Sequence, residues 1–164
     1  MVCRTTCSLG RARVVDIVDP LTRSRMMARV KSRNTGPETE VRSLLHRAGY
    51  RFRLGNRKLP GAPDLVMPRY RVAVYVHGCF WHGHGCHLFK MPATRRDFWS
   101  TKIGANRNRD EHVRSSVEAL GWRHIVIWEC ALRGKHRLRP DALVRELRSI
   151  LEQGKSGGVI RGGG

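Results

Sequence analysis

The sequence predicts an α/β domain in which a mixed central β-sheet is flanked by helices. Two short segments are apolar and rich in β-branched residues, as buried strands are, and other segments carry apolar residues at helical spacing. Helical and strand segments alternate along the chain, and 164 residues suit one domain with a single core. Together these observations indicate one mixed domain with a tail at each end.

The first predicted helix begins at Pro37 and ends before Gly49, because proline is favoured in a first helical turn and glycine directly after a last one. Its apolar residues recur at helical spacing: Val41, Leu44, Leu45 and Ala48. After this helix, Tyr50–Leu54 is predicted to be a short strand, and Pro60-Gly61 a turn.

Three more strands and two more helices complete the order α-β-β-β-α-β-α. The strand at 124–128 is a continuous apolar run, which is typical of a strand buried on both faces. The long helix ends before Gly121, and the last helix carries Leu143, Leu147 and Ile150 on one face. The predicted ranges are Asp64–Met67, Arg71–His77 and His124–Trp128 for the strands, and Arg96–Leu120 and Asp141–Leu151 for the helices.

The segments outside this core are predicted to be tails. Residues 1–20 show neither helical nor strand periodicity and are expected to form a poorly ordered leader, or to precede a true start at Met26-Met27. Cys3 and Cys7 have the spacing of a zinc half-site, but the sequence offers no partners nearby. Residues 153–164 are rich in glycine and are expected to be a flexible tail.

The chain carries 32 Lys and Arg against 13 Asp and Glu, which gives a formal net charge of +19. This surplus predicts a polyanionic partner, and the dominance of arginine suits bidentate contacts to phosphate and guanine. Nucleic acid is therefore the expected partner, with solubility or ribosome association as the alternative use of the charge. A membrane surface or an acidic protein fits less well, since no basic amphipathic helix dominates the sequence.

Two further features predict a cytoplasmic protein. The N-terminal segment lacks the continuous apolar run of a signal peptide, and no segment approaches the roughly 20 apolar residues of a membrane span. The five cysteines are an odd number, and in a reducing compartment cysteines more often bind metal or stay free than form disulfides.

The loop Gly78–Cys86 is the clearest sign of function. It holds two cysteines, two histidines, two adjacent aromatic residues and three glycines. Its ligands would form a tetrahedral zinc set with a cysteine that follows the strand at 124–128, and four protein ligands would leave zinc a structural role. Buried free cysteines are the alternative. The proposed ligands are Cys79, His84, Cys86 and Cys130.

Two other residues are candidates for catalysis. His82, in the same loop, suits a general acid or base near neutral pH, unless it is merely packed or solvent-facing, and His77 stays unassigned. Asp64 follows Pro63 at the start of a strand, where a carboxylate would suit a magnesium ion that polarises a phosphate. Aspartate after proline is also ordinary turn chemistry.

From about Thr22 to about Leu151 the sequence resembles the very short patch repair (Vsr) endonucleases. The most specific motifs are His77-Gly-Cys-Phe-Trp-His82 and Trp128-Glu-Cys-Ala-Leu132. The others are Leu59-Pro-Gly-Ala-Pro-Asp64, Phe89-Lys-Met-Pro-Ala-Thr94, Phe98-Trp99, Lys102-Ile-Gly-Ala-Asn106 and Arg109-Asp110.

The resemblance implies a restriction-endonuclease-like core, with residues 21–152 as the endonuclease domain. It implies magnesium-assisted nicking of double-stranded DNA, 5′ to the thymine of a T·G mismatch left by deamination of 5-methylcytosine. It further implies contact with mismatch-repair proteins, action as a monomer and a nucleoid-associated place in a bacterial cytoplasm. Two alternatives stay open: a nuclease of the same fold with another DNA target, and a non-catalytic zinc module that binds DNA.

The resemblance also implies roles for individual residues of the active site. Asp64 would bind magnesium together with the backbone carbonyl of Val76, and His82 would act near the attacking water. Glu38 matches an acidic residue of the family's active site. The residues that match holders of metal-bound waters are Asn106 and Asp110, whose i, i+4 spacing puts them on one helix face.

The remaining implied roles belong to the loop and its surroundings. The four proposed zinc ligands match the family's structural zinc site, and Phe80, Trp81 and Trp99 match aromatic residues that insert beside the mismatch. Core packing is the alternative for the two tryptophans. The departures from the family are Val76, where relatives often have threonine, and Gly83 and Gly85, where they often have histidine. The valine at position 76 is harmless if magnesium needs only the backbone carbonyl of this residue. None of the three departures removes a proposed ligand.

Overall fold

The computed structural model describes residues 18–28, 33–55, 58–152 and 157–163. Residues 1–17, with Cys3 and Cys7, lie outside the described residues, as does most of the predicted leader. Within the described part, short 3-10 helices occupy Pro68–Tyr70 and Glu129–Ala131. The main elements, in order, are α1 (Pro20–Ala28), α2 (Gly36–Arg47), β1 (Leu65–Met67), β2 (Val72–His77), α3 (Arg96–Ala119), β3 (Arg123–Trp128), α4 (Pro140–Glu152) and β4 (Gly157–Ile160).

The strands of the described residues form one mixed sheet in the order β1-β2-β3-β4. β1 runs antiparallel to β2, whereas β2, β3 and β4 run parallel to one another. In the register of the central pair, His77 lies opposite Trp128, so the carboxyl ends of β2 and β3 meet at one edge of the sheet. The predicted mixed sheet flanked by helices is confirmed.

Helices cover both faces of this sheet because its strands alternate two sets of apolar side chains. Val72 and Val74 of β2 pack in a cluster with residues of α2 and α4. Ala73 and Tyr75, on the opposite face, pack with Val117 of α3. The larger cluster also contains Val41, Leu44, Leu45, Ile125, Ile127, Leu143, Leu147 and Leu151. The sheet is thus the middle of three layers.

The segment Tyr50–Leu54 does not form the predicted strand. Arg53 makes a single antiparallel bridge with Val66, in which each backbone N–H donates to the other residue's carbonyl oxygen. Tyr50 and Phe52 pack against the larger core cluster. The apolar residues of this segment therefore cover the core, but only one residue is paired as in a sheet.

The prediction of a flexible tail is wrong for residues 157–160, which form β4. Gly157 and Gly158 lie where chains approach closely: a Cβ on Gly157 would lie 2.4 Å from the carbonyl oxygen of His124, and one on Gly158 would collide with the Ile150 side chain. Ile160 is fully buried. The glycines here permit close packing, which composition alone does not distinguish from flexibility.

The N-terminal boundary also differs from the prediction, because α1 begins at Pro20. The carboxylate of Asp19 accepts hydrogen bonds from the backbone N–H groups of Leu21 and Thr22, at 3.0 and 2.9 Å. Aspartate followed by proline is a common helix start, so the sequence did contain this signal. No helix in the described ranges is both long enough and apolar enough to span a bilayer.

Candidate metal centre and active-site cleft

The parallel pairing of β2 and β3 brings the two halves of the site together. β2 ends at His77 and continues into the loop Gly78–Cys86, while β3 ends at Trp128 and continues into the short helix that carries Cys130. Parallel neighbours finish at the same edge of a sheet, so the loop and Cys130 become adjacent.

Cys79, His84, Cys86 and Cys130 form a compact group, here called the thiolate cluster, whose ligand atoms all lie within 4.8 Å of one another. The Nδ1 atom of His84 lies 3.6 Å from the Sγ atoms of both Cys79 and Cys130. Ligands on a tetrahedral zinc, with zinc–sulfur and zinc–nitrogen bonds near 2.3 and 2.0 Å, are separated by about 3.6 Å. The donor set and its spacing therefore fit zinc.

Burial sets the protonation states of the residues in the thiolate cluster. Burial raises the pKa of the Cys79 and Cys130 thiols, so without a cation they stay protonated. Burial lowers the pKa of His84, which keeps its imidazole neutral and able to act as a ligand. The backbone N–H of Cys79 donates to the carboxylate of Glu129 at 3.2 Å, which ties the loop to the end of β3.

A second group, here called the histidine cluster, lies beside the first and consists of His77, His82 and Asp110. The Nδ1 atom of His82 lies 2.5 Å from the carboxylate of Asp110 on α3. His77 stacks on His82 with ring centroids 3.9 Å apart. Burial, aided by His82, lowers the pKa of His77 to about 3, so His77 is neutral at physiological pH. The sequence predicts no role for His77, although this residue ends a buried strand directly before the loop.

The histidine cluster lines a cleft of about 720 Å³. Asp64, His82, Asp110 and Glu38 all line this cleft, so most of the predicted catalytic residues converge. Three arginines line the same cleft and give it a positive rim: Arg33, Arg42 and Arg109. A cleft that combines carboxylates, an oriented imidazole and arginines suits chemistry on a phosphate group.

Asp64 is held by its neighbours in the sheet. Its backbone N–H donates to the carbonyl of Val74, and its carboxylate accepts a 2.7 Å hydrogen bond from the backbone N–H of Val76. Burial raises the pKa of Asp64 to about 6 and nearby Glu38 adds to this, whereas the Val76 hydrogen bond and Arg42 oppose it. A bound cation would replace this proton and stabilise the ionised form of the half-buried carboxylate.

Glu38 lines the cleft, yet its carboxylate already has several partners. It accepts hydrogen bonds from the backbone N–H of Asn34 at 2.9 Å, the Thr35 hydroxyl at 2.7 Å and the Arg42 guanidinium at 3.0 Å. These contacts fasten the start of α2 and hold Arg42 beside the cleft. Its predicted role in the active site stays a prediction, and its observed contacts are those of a positioning residue.

Asn106 lies apart from the cleft lining. It is buried, and its side-chain amide donates to the carbonyl oxygen of Trp81 at 2.8 Å. Arg107, the next residue of α3, donates to the carbonyl oxygens of His82 and Gly83, at 3.2 and 2.6 Å. One turn of α3 therefore fixes three consecutive loop carbonyls. The role of Arg107 does not follow from the sequence, since a surface arginine on a basic helix carries no distinguishing pattern.

The three predicted wedge residues lie together in an aromatic cluster. The ring centroid of Phe80 lies 5.2 Å from that of Trp81 and 5.1 Å from that of Trp99. All three side chains are partly exposed, and the neighbouring Phe98 is 47% exposed. This partial exposure differs from the full burial of core residues.

Trp128 connects the two ligand groups. Its ring stacks on His84 with centroids 4.1 Å apart and nearly parallel planes. It also meets the rings of His77 and His82 edge to face, at 5.4 and 6.2 Å. The thiolate cluster and the histidine cluster thus share one aromatic neighbour.

The structure gives a reason for one of the glycine departures. Gly83 has a φ of +61°, and a Cβ there would lie 2.6 Å from the side chain of Ile103. Gly85 has open space around the position of a Cβ. With this packing of Ile103 and Arg107, a residue larger than glycine does not fit at 83, whereas position 85 is tolerant.

Known proteins resemble this chain over most of its length. A model of the DNA mismatch endonuclease Vsr family matches residues 15–88. The chain is 46% identical over 134 residues to the DNA mismatch endonuclease Vsr of Escherichia coli K12, covering 82% of this chain and 86% of that protein. It is 48% identical over 139 residues to the type II nicking enzyme V.XorIIP of Xanthomonas oryzae pv. oryzae, covering 85% and 98%. It is 39% identical over 140 residues to the type II nicking enzyme V.NmeAIP of Neisseria meningitidis serogroup A, covering 84% and 100%.

Proposed function

The chain belongs to the Vsr family of DNA mismatch endonucleases, and we propose that it nicks one strand of duplex DNA 5′ to the thymine of a T·G mismatch. The observation that carries this proposal is the convergence of Asp64 with the hydrogen-bonded pair His82 and Asp110 in one cleft. The mismatch itself would arise by deamination of 5-methylcytosine. The fold is proposed to be the restriction-endonuclease-like core, formed by residues 21–152 and extended by β4.

The residues at the end of β2 suit the binding of a divalent cation. Asp64 and the main-chain carbonyl of Val76 would hold magnesium, whose charge polarises the scissile phosphate and lowers the pKa of bound water. The N–H of Val76 already faces the Asp64 carboxylate, and in a strand the carbonyl of the same residue points to the same side. A valine at position 76 supplies this carbonyl as well as a threonine does.

His82 is proposed to move the proton of the attacking water. Because its Nδ1 is engaged by Asp110, the opposite ring nitrogen, Nε2, is the atom available for exchange. Asp110 holds the ring in the orientation that this exchange needs. Asn106 would act indirectly, by holding the Trp81 carbonyl and hence the loop, and water contacts by Asn106 stay a prediction.

The thiolate cluster is proposed to bind one zinc ion in a structural role. Its four protein ligands complete a tetrahedron, so the ion would stabilise the loop and take no part in hydrolysis. The loop carries His82 between two of these ligands, so the ion would fix the catalytic imidazole relative to Asp64.

The partner is proposed to be double-stranded DNA that contains a T·G mismatch. The net charge of +19 and the arginines of the cleft supply attraction to phosphate. The aromatic cluster of Phe80, Trp81 and Trp99 is proposed to insert beside the mismatch, where unstacking a weakened pair is least costly. Action as a monomer and contact with mismatch-repair proteins belong to the same proposal.

A strand-specific nicking assay tests this function. Duplexes carrying T·G, U·G and fully paired sites are incubated with the protein in magnesium, and the labelled strands are sized. We expect a nick on the thymine strand of the T·G duplex and none on the paired duplex. Cutting of paired DNA would identify a nuclease with another target, and binding without any cut would identify a non-catalytic module.

A further inference from the structure

The segment 157–163 is the last described part of the chain, and it lies against the thiolate cluster. β4 pairs in parallel with β3, from Gly157 opposite His124 to Ile160 opposite Ile127. β3 leads directly to Cys130. The residues that follow β4 are therefore delivered beside this cysteine.

Two backbone N–H groups then fasten the segment. Gly162 donates to the Sγ atom of Cys130 at 3.4 Å, and Gly163 donates to the carbonyl oxygen of His136 at 2.9 Å. A distance of 3.4 Å is short for an N–H···S contact. Gly162 is partly shielded from solvent, so water competes weakly for this sulfur.

Only glycine fits at position 162. A Cβ there would lie 2.5 Å from the carbonyl oxygen of Cys130 and 2.7 Å from that of His136. Both are backbone atoms, which cannot move aside as a flexible side chain can. The neighbouring Gly163 has nothing within 4 Å of the position of a Cβ. The two adjacent glycines thus differ sharply in how closely they are enclosed.

We propose that residues 157–163 form a strap that completes the zinc centre, with the N–H of Gly162 as the positioning contact for the Cys130 thiolate. This inference rests on the proposed binding of zinc by the thiolate cluster. Three thiolates and one zinc ion carry a net negative charge, and an N–H donor at a sulfur stabilises that charge and fixes the ligand. The strap would act on the zinc ion through the sulfur of Cys130. It contains none of the proposed catalytic residues.

The test compares zinc release from two matched pairs of proteins, one full-length and one shortened. Gly162→Ala introduces the clash, and Gly163→Ala is its control, because a Cβ at 163 meets open space. A second pair removes the donor without adding a side chain: chains ending after Arg161 lack the Gly162 N–H, and chains ending after Gly162 keep it. Zinc content is measured on the wild type, and release to a coloured chelator is followed over time. The cobalt-substituted proteins report the thiolate-to-metal absorption band.

We expect the Gly162→Ala protein and the chain ending after Arg161 to release zinc at least about 10-fold faster than the wild type, as for other residues that support a metal ligand. Their cobalt bands should shift, while Gly163→Ala behaves as the wild type. The chain ending after Gly162 keeps the donor to Cys130 but loses the Gly163 contact to His136, so it should release zinc more slowly than the chain ending after Arg161. Equal release and unshifted bands in all proteins overturn the strap and leave the zinc centre intact. A wild type without zinc overturns the zinc centre itself, and the strap with it. If Gly162→Ala does not fold, the truncated pair decides.

Discussion

The thiolate cluster and the histidine cluster both take residues from the loop Gly78–Cys86 but differ in chemistry. The first takes its ligands mostly as sulfur, buries two of its cysteines and is crossed by the C-terminal strap. The second offers nitrogen and oxygen and lines an open cleft. The difference teaches that donor type and enclosure vary together across neighbouring groups: the sulfur-rich group is enclosed, as suits a structural ion, and the group of nitrogen and oxygen donors faces the cleft, as suits contact with a substrate.

The two clusters are nevertheless mechanically linked. Trp128 contacts histidines of both, and His82 lies between two thiolate-cluster ligands in sequence. Variants that alter one cluster and leave the other intact can therefore test whether metal content and nicking rate change independently.

The largest effect is expected from Asp64→Ala, which removes the proposed cation ligand. We expect the nicking rate on a T·G duplex to fall by at least about 1000-fold, because hydrolysis loses its metal-binding carboxylate. Zinc content and melting temperature should stay close to wild type, since the thiolate cluster is untouched. Initial rates and metal analysis together measure this, and retained nicking would show that catalysis does not depend on Asp64.

The converse variant, Cys130→Ser, should damage both clusters. Serine is a poor zinc ligand, so we expect loss of the metal and a fall in melting temperature of about 10 °C or more. Nicking should fall as well, because the loop that carries His82 is no longer fixed. Calorimetry and the nicking assay check this. Full activity in a zinc-free protein would show that nicking does not depend on the thiolate cluster.

Asp64→Asn should make the magnesium-free protein more stable while it abolishes nicking. Burial raises the pKa of Asp64 to about 6, above its value in the unfolded chain. The folded state therefore holds the extra proton between about pH 4 and pH 6, and the free energy of unfolding falls as pH rises through this window. Asparagine does not titrate. We expect equal stability near pH 4 and an advantage of about 1–3 kcal/mol for the variant at pH 7.5.

Urea unfolding at the two pH values measures this difference. Adding magnesium at pH 7.5 should narrow it, because a bound cation stabilises the ionised Asp64 of the wild type. A constant difference across the pH range would contradict a raised pKa for this carboxyl.

The smallest effect is expected from the loop glycines. Gly83→Ala should lower stability by about 1–2 kcal/mol, since it combines a positive φ with a Cβ that meets Ile103. Gly85→Ala, in open space, should change stability by less than about 0.5 kcal/mol. Thermal unfolding of the two variants makes the comparison, and equal stabilities would show that Ile103 and Arg107 readjust at no cost.

Much of the fold followed from the sequence because its signals are local. The β-branched runs before His77 and Trp128 predicted β2 and β3, and parallel pairing then placed Cys130 beside the loop. β4 was missed because glycine was taken as a sign of flexibility, whereas Gly157 marks close approach to His124. Such an approach depends on residues distant in sequence, which no local pattern records.

The sequence predicted those site residues whose side chains can perform few chemical roles. It did not predict residues whose role depends on which groups the fold brings beside them. Cys79, His84, Cys86 and Cys130 do converge, and Asp64 and His82 do share a cleft. His77 was left unassigned because its role depends on stacking against His82. The roles of Arg107 and Gly162 do not follow from the sequence, because one end of each contact is a backbone group. Arg107 donates to the loop carbonyls, and Gly162 donates its own N–H to Cys130, and backbone groups leave no trace in a sequence.

The hydrogen bonds between α3 and the loop Gly78–Cys86 also link the aromatic cluster to the histidine cluster. Trp99 lies near the start of this helix and Asp110 lies about 16 Å further along its axis. Trp99 is the member of the aromatic cluster that lies on α3, so this helix connects the cluster covalently to the carboxylate that contacts His82. Asn106, between the two, holds the carbonyl oxygen of Trp81 and so ties a second member of the cluster to the same helix. A single element thus contacts both the aromatic side chains and the imidazole, and the distance between them is set by the length of that helix.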